Sequence, residues 1–151
     1  RWQETHQRLM RLGGIERVAG LEELVQRCEI LSFHVPSLTE TRGLIDASLL
    51  ARMAPGTIIV NTSRGDIIDE PALIAAMDEK GIRAGLDVFN SEPAMGKCAF
   101  ASALARHPNV YGTHHIGAST EQAQAAVAEG VIEIVDAFEL GEVRHCVNMP
   151  V

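Results

Sequence analysis

Arg64 follows the run Thr57-Ile58-Ile59-Val60 and the small polar residues Asn61, Thr62 and Ser63, with Gly65 directly behind it. A guanidinium there offers a planar fork for a carboxylate or phosphate, although an isolated arginine more often serves a surface salt bridge or orders a loop. The stretch "GLDVFNSEP" places Asp87 in an apolar run and Glu92 just beyond it. Because a carboxylate is costly to bury unpaired, Asp87 either accepts hydrogen bonds from backbone or ligand or stands at the open end of a strand. Glu92-Pro93 could equally form an ordinary solvated turn. The stretch "THHIGAST" adds His114 and His115. Neighbours in an extended chain point to opposite faces, so these two do not readily grip one metal ion. A zinc site built from His107, Cys98 and one of them has no ligand spacing to recommend it, and no metal is expected. Small residues after His115, at a helix start, let backbone approach a ligand closely. If Glu92 meets His115, the carboxylate favours the imidazolium and creates a proton donor. A carboxylate-binding arginine and a Glu-assisted histidine make a kit for reducing a 2-keto acid. The hydride must come from a cofactor, since no side chain supplies one.

The elements that would position these groups alternate between short apolar runs and helical patterns. Strands are expected near Ile15–Val18, Ile30–Val35, Thr57–Asn61, Arg83–Phe89 and Asn109–Thr113. Helices are expected near Glu4–Leu12, Leu21–Arg27, Ala47–Met53, Glu70–Lys80, Ala99–His107 and Thr120–Leu140. The strands are apolar without strict alternation, the pattern of a parallel sheet covered on both faces. Strand–helix–strand repetition predicts a doubly wound α/β domain with right-handed crossovers. Asp69 is placed to cap the helix that starts at Glu70-Pro71, and Gly81 to end it in a left-handed conformation. Ser119 with Gln122 has capping-box spacing. Beyond it Ala123, Ala126, Val127, Val131, Ile134, Val135 and Phe138 form one apolar face, which packing on the sheet or pairing with a second copy would bury. Ser91 to Cys98 has the weakest periodicity and reads as a mobile loop. Ligands of a doubly wound sheet sit outside the carboxyl ends of its strands, so Pro36, Arg64, Asp87, Glu92 and His115 are expected along one rim.

With 151 residues the chain can bury one respectable core. Its formal charge of −7, from 20 acidic and 13 basic residues without a basic cluster, argues against nucleic acid or an anionic membrane as partner. The absence of a long apolar run or signal-like start points to the cytoplasm. Cys28, Cys98 and Cys146 are odd in number and far apart, as expected of reduced thiols. The opening in a helix-like pattern at Arg1 suggests part of a longer polypeptide.

"TIIVNTSRGDIIDEPALIAAM", "AGLDVFNSEP" and "HHIGASTEQAQ", in this order and spacing, resemble the D-isomer-specific 2-hydroxyacid dehydrogenases, as does the upstream "LEELVQRCEILSFHVPSLTETRGLIDASLLARM". "GASTEQAQ" and the ending "CVNMPV" are most similar to the D-3-phosphoglycerate dehydrogenase branch. The resemblance implies a Rossmann-like fold and hydride transfer between NAD(H), or NADP(H), and a D-2-hydroxy acid. It implies Arg64 as carboxylate binder, His115 as acid/base and Glu92 as its partner. Further, it implies Asp87 at the nicotinamide carboxamide, Thr62, Ser63 and Arg64 over the nicotinamide ribose, and His115, Ile116, Gly117 and Ala118 as a second nicotinamide-side segment. His34, Val35 and Pro36 match the adenine pocket wall. Three substrate readings follow: D-3-phosphoglycerate on the way to serine, glyoxylate or hydroxypyruvate, and D-lactate. An NAD(H)-responsive corepressor-type scaffold of the same fold is a further alternative. Family members pair through this domain, so a homodimer or homotetramer is implied. The GxGxxG phosphate loop is missing from the sequence, and His114 stands where the family usually carries proline. The chain therefore reads as the later part of an NAD-binding domain without its first strand–helix–strand unit or the substrate domain, expected to bind NAD poorly and to be inactive by itself.

Overall fold

A computed structural model describes residues 14–90, 92–93 and 100–146. Four strands, β1 (Ile30–Phe33), β2 (Ile58–Asn61), β3 (Arg83–Leu86) and β4 (Val110–Gly112), form one sheet in the order β1-β2-β3-β4. All three neighbouring pairs are parallel. The helices are α1 (Leu21–Arg27), α2 (Ala47–Arg52), α3 (Glu70–Lys80) and α4 (Glu121–Glu139), with short 3-10 turns at Gly65–Ile67 and Leu104–Arg106.

Since each strand lies next to its predecessor on the same side, right-handed crossovers return every connecting helix to one face. Leu31, Phe33, Ile59, Ala84 and Leu86 point to that face and join Val25, Leu49, Leu50, Leu73 and Met77 in the core. Ile30, Ser32 and Arg83 point the other way and are exposed. The described strands are thus one half of a doubly wound sheet, with one face covered rather than both.

Local chemistry sets the element ends. Asp69 accepts from the Ala72 N–H at 3.1 Å and Pro71 sits in the first turn of α3, where its missing N–H is no loss. Gly81 ends α3 at φ 66°, a conformation that glycine adopts without strain. The Lys80 ammonium reaches across to the Leu50, Ala51 and Met53 carbonyls at the end of α2, where a cation favours the exposed carbonyl ends.

Several sequence expectations need correction. Ile15–Val18 is irregular and mostly exposed, because apolar spacing alone supplies no ladder partner. The strand expected through Val35 ends at Phe33, and the one expected through Phe89 ends at Leu86, where pairing with β4 stops. The expected helix up to His107 is, within the described residues, only the 3-10 turn before Pro108, with His107 already extended. Thr120, rather than Ser119, caps α4 by accepting from Ala123 N–H at 3.1 Å. The apolar face of α4 does not pack on the sheet: Val127 is 63% and Phe138 74% exposed, and Ala137 is the one buried residue of the helix. The expected helix Glu4–Leu12 lies outside the described residues. So does the loop Ser91–Cys98, apart from Glu92 and Pro93.

Candidate active site

At the carboxyl end of β2, Asn61 is fully buried and organises the turn that delivers Arg64. Its Oδ1 accepts from Ser63 N–H (3.0 Å) and Ser63 Oγ–H (2.8 Å), and its amide donates to the Arg64 carbonyl (2.8 Å). With its backbone tied down in this way, Arg64 presents an exposed guanidinium, one N–H of which rests on the Ser63 carbonyl at 2.6 Å. Asp66, two residues on, is held by the Ser37 hydroxyl at 2.5 Å and by Arg42 at 3.2 Å.

Gly65 sets the distance between this turn and the next. A Cβ built on it would lie 2.2 Å from the Phe89 carbonyl carbon and 2.5 Å from Asn90 N. No L side chain fits there, so glycine alone permits the two backbones to touch.

Beyond β3, Glu92 folds back on its own turn. Its Oε1 accepts from Phe89 N–H at 2.6 Å, and its Oε2 lies 2.8 Å from His115 Nδ1. With Nδ1–H donating to the carboxylate, Nε2 is the nitrogen left for proton transfer.

Asp87 anchors the loop that carries His115. The carboxylate is 7% exposed and accepts from Thr113 Oγ1–H (2.5 Å), Ile116 N–H (2.9 Å) and Gly117 N–H (2.9 Å). Its backbone carbonyl takes His115 N–H at 2.9 Å. These bonds hold His115 at φ 58°, a left-handed conformation uncommon for residues other than glycine. Burial alone would raise the Asp87 pKa, but the Thr113 hydroxyl, the Gly117 and Ile116 amides and the nearby His115 outweigh it and hold the carboxyl below its ordinary 3.8.

Arg64, Glu92 and His115 consequently line one cleft of about 400 Å³ together with Ser37, Asp66 and Phe89. A second cavity of about 550 Å³, lined by Phe89, Pro93, Phe100 and His114, shares Glu92 and His115 as a wall. Thr62 and Ser63 stand on the same rim, as do Ile116, Gly117 and Ala118. His34, Val35 and Pro36 lie beyond β1, at the opposite edge of the sheet from His115, with the His34 ring 2.7 Å from Ser32 Oγ. Three strand spacings separate the two edges, roughly 14 Å. Such a rim suits a ligand that runs across the strand ends, with one end over β1 and the other over β3 and β4. Among the described residues no group of three His, Cys, Asp or Glu side chains could hold a metal ion, and no helix is long and apolar enough to cross a membrane.

The sequence reading missed Asn61, Thr113, Ser37 and Asp66. Asn61 alone carried a signal: an asparagine after an apolar strand, followed by small polar residues, is the pattern of a side chain that bonds its own turn.

Residues 3–117 match the model of the D-isomer specific 2-hydroxyacid dehydrogenase, NAD binding domain. The chain belongs to the D-isomer specific 2-hydroxyacid dehydrogenase family. It is 42% identical over 139 residues to D-3-phosphoglycerate dehydrogenase of Methanocaldococcus jannaschii, covering 91% of this chain and 26% of that one. To the enzyme of the same name in Escherichia coli (strain K12) it is 35% identical over 141 residues, covering 92% and 34%. The chain thus spans about a third or less of the length of these relatives. Among solved structures it resembles D-mandelate dehydrogenase of Rhodotorula graminis, at 37% identity and a TM-score of 0.72 over 83% of this chain and 35% of that one.

The residues present fit the nicotinamide end of a dinucleotide. The carboxyl rim is the place for it, and of the roughly four lone-pair sites of the Asp87 carboxylate, three are filled by the loop, which leaves room for one further donor such as a carboxamide N–H. The sequence contains no GxGxxG, the loop that takes a pyrophosphate in this kind of fold.

Proposed function

We propose that the full-length protein is an NAD-dependent oxidoreductase that interconverts a D-2-hydroxy acid and its 2-keto acid, with D-3-phosphoglycerate as substrate. The observation that carries this reading is the 2.8 Å Glu92–His115 contact in the same cleft as Arg64. The guanidinium of Arg64 binds the substrate carboxylate and fixes the neighbouring carbonyl. His115, oriented by Glu92, gives its Nε2 proton to the carbonyl oxygen as negative charge develops there and takes it back in the oxidative direction. A bound nicotinamide supplies or accepts the hydride. Residues His115 to Ala118 and the turn Thr62–Arg64 flank it, while His34, Val35 and Pro36 form the wall of the adenine end. Phosphoglycerate is preferred because both relatives cited above bear that activity as their name and the "GASTEQAQ" helix start agrees. A structure that this chain resembles bears the name D-mandelate dehydrogenase, which keeps other 2-hydroxy acids as the alternatives to test. The 151 residues then form the later part of the dinucleotide domain, and the uncovered apolar face of α4 supports a homodimer or homotetramer.

Steady-state NADH oxidation by the full-length protein tests the reading. The expected result is a kcat/KM for 3-phosphohydroxypyruvate at least tenfold above those for glyoxylate, hydroxypyruvate and pyruvate. Preference for one of the latter overturns the substrate. No turnover of any of them overturns the enzymatic reading and leaves the scaffold.

A further inference from the structure

We propose that Glu70, at the start of α3, is a positioning residue for the Glu92–His115 pair, an inference that rests on the functional reading above. Phe89, Asn90 and Glu92 lie beyond the end of β3, and the two consecutive N–H groups of Phe89 and Asn90 are each held by a carboxylate. Phe89 N–H goes to Glu92 itself, within the turn. Asn90 N–H goes instead to Glu70 Oε1 at 2.8 Å, 20 residues earlier in the chain. The first bond alone cannot fix where Glu92 stands, because donor and acceptor move together with the turn. The second ties the turn to an outside frame.

That frame is rigid. Asp69 caps α3, and Leu73 and Met77 are buried one and two turns on. The same frame carries Arg64, since α3 follows the Arg64–Ile68 segment almost directly and Gly65 packs closely against the same Phe89–Asn90 peptide. The peptide is therefore held at two points, by packing on Gly65 and by the bond to Glu70, and both refer Glu92 and Arg64 to one common origin. A turn released at Asn90 pivots on Gly65, which changes the 2.8 Å Glu92–His115 distance and the gap between His115 and a substrate held by Arg64. Catalysis is steep in such distances.

The test uses full-length Glu70→Ala and Glu70→Gln, each also on a Glu92→Ala background, together with NMR of selectively 15N-labelled asparagine and histidine. Glu70→Ala is expected to lower kcat about tenfold with KM for the cofactor unchanged, and to have less than a twofold effect once Glu92 is Ala, because no side chain then remains to be positioned against His115. Glu70→Gln keeps an acceptor oxygen and restores kcat to within about threefold of the parent. Glu70→Ala should shift both the Asn90 amide resonance and the His115 ring nitrogens. An equal loss of kcat in both backgrounds, or a kcat and His115 spectrum unmoved by Glu70→Ala, overturns the proposal, as does an Asn90 amide unmoved by Glu70→Ala. An enzyme that reduces no 2-keto acid sinks the functional reading instead, and the NMR arms still decide the role of Glu70.

Discussion

Replacing Asp87 by asparagine keeps the shape of the side chain and inverts one of its contacts. In the native site Oδ1 takes Thr113 and Ile116, and Oδ2 takes Gly117 N–H at 2.9 Å. Asparagine can keep the first two on its oxygen, but its NH2 then meets the Gly117 N–H donor to donor. A hydrogen bond to a charged group is worth roughly 1.5–3 kcal/mol, and an unsatisfied buried donor costs about 1–3. The expected destabilisation is about 2–4 kcal/mol. The loop cannot simply back away, since it also holds His115 through the Asp87 carbonyl. Urea unfolding of the full-length protein followed through the transition of this domain would show the midpoint falling by on the order of 1–2 M, for a slope of about 2 kcal/mol/M. The sign of the pH dependence follows from the depressed pKa. The contribution of the Asp87 carboxylate is fully present above the ordinary value of 3.8 and is lost as pH falls through its lower folded value. The gap between the two proteins should therefore be constant from pH 5 to 7 and narrow below about pH 4. At neutral pH kcat should fall at least tenfold, because the strained φ of His115 loses its support. A variant as stable as the parent at pH 7, or a deficit just as large at pH 3, would show that Asp87 does not hold this loop as an ionised acceptor.

Gly65→Ala places a methyl 2.2 Å from the Phe89 carbonyl carbon, so one backbone must move by more than an ångström. The expected cost is about 3 kcal/mol or more, read by thermal unfolding, with kcat/KM lost in the surviving folded fraction. Asn61→Leu keeps the branched four-atom shape but strands the Ser63 N–H and the Arg64 carbonyl. It should destabilise by about 2–4 kcal/mol and raise KM for the keto acid through a loosened Arg64, as steady-state kinetics would show. Lys80→Met keeps the aliphatic stem and removes the ammonium from the Leu50, Ala51 and Met53 carbonyls. A loss of about 1 kcal/mol with unchanged kcat is expected from parallel unfolding and activity measurements.

Much of this molecule is legible in its sequence because the cues are local. The Asp69 cap, the Pro71 entry and the Gly81 exit bound α3 to the residue, and each acts within one turn of chain. The apolar runs at Ile58–Asn61 and Arg83–Leu86 reveal core strands, since burial demands such side chains wherever the strand lies in the sheet. Strand ends read less well. Arg83–Leu86 stops where β4 stops pairing with it, and that depends on residues 26 positions away. The helix ending at Glu139 is found from its periodicity, yet no spacing reveals that its apolar face stays uncovered.

The site divides in the same way. Sequence alone determined which groups could carry the chemistry (a guanidinium, two carboxylates and an imidazole) and that each follows the carboxyl end of a strand, because parallel winding sends all those ends to one edge. Only the tertiary structure decided how they divide the labour. Glu92 faces His115 while Asp87, equally acidic and closer to the core, holds the loop beneath it, and Gly65 and Glu70 fix the peptide between them. Those roles rest on contacts between segments 20 to 30 residues apart, and such distances are set by how the sheet and α3 pack, not by any residue's own preference.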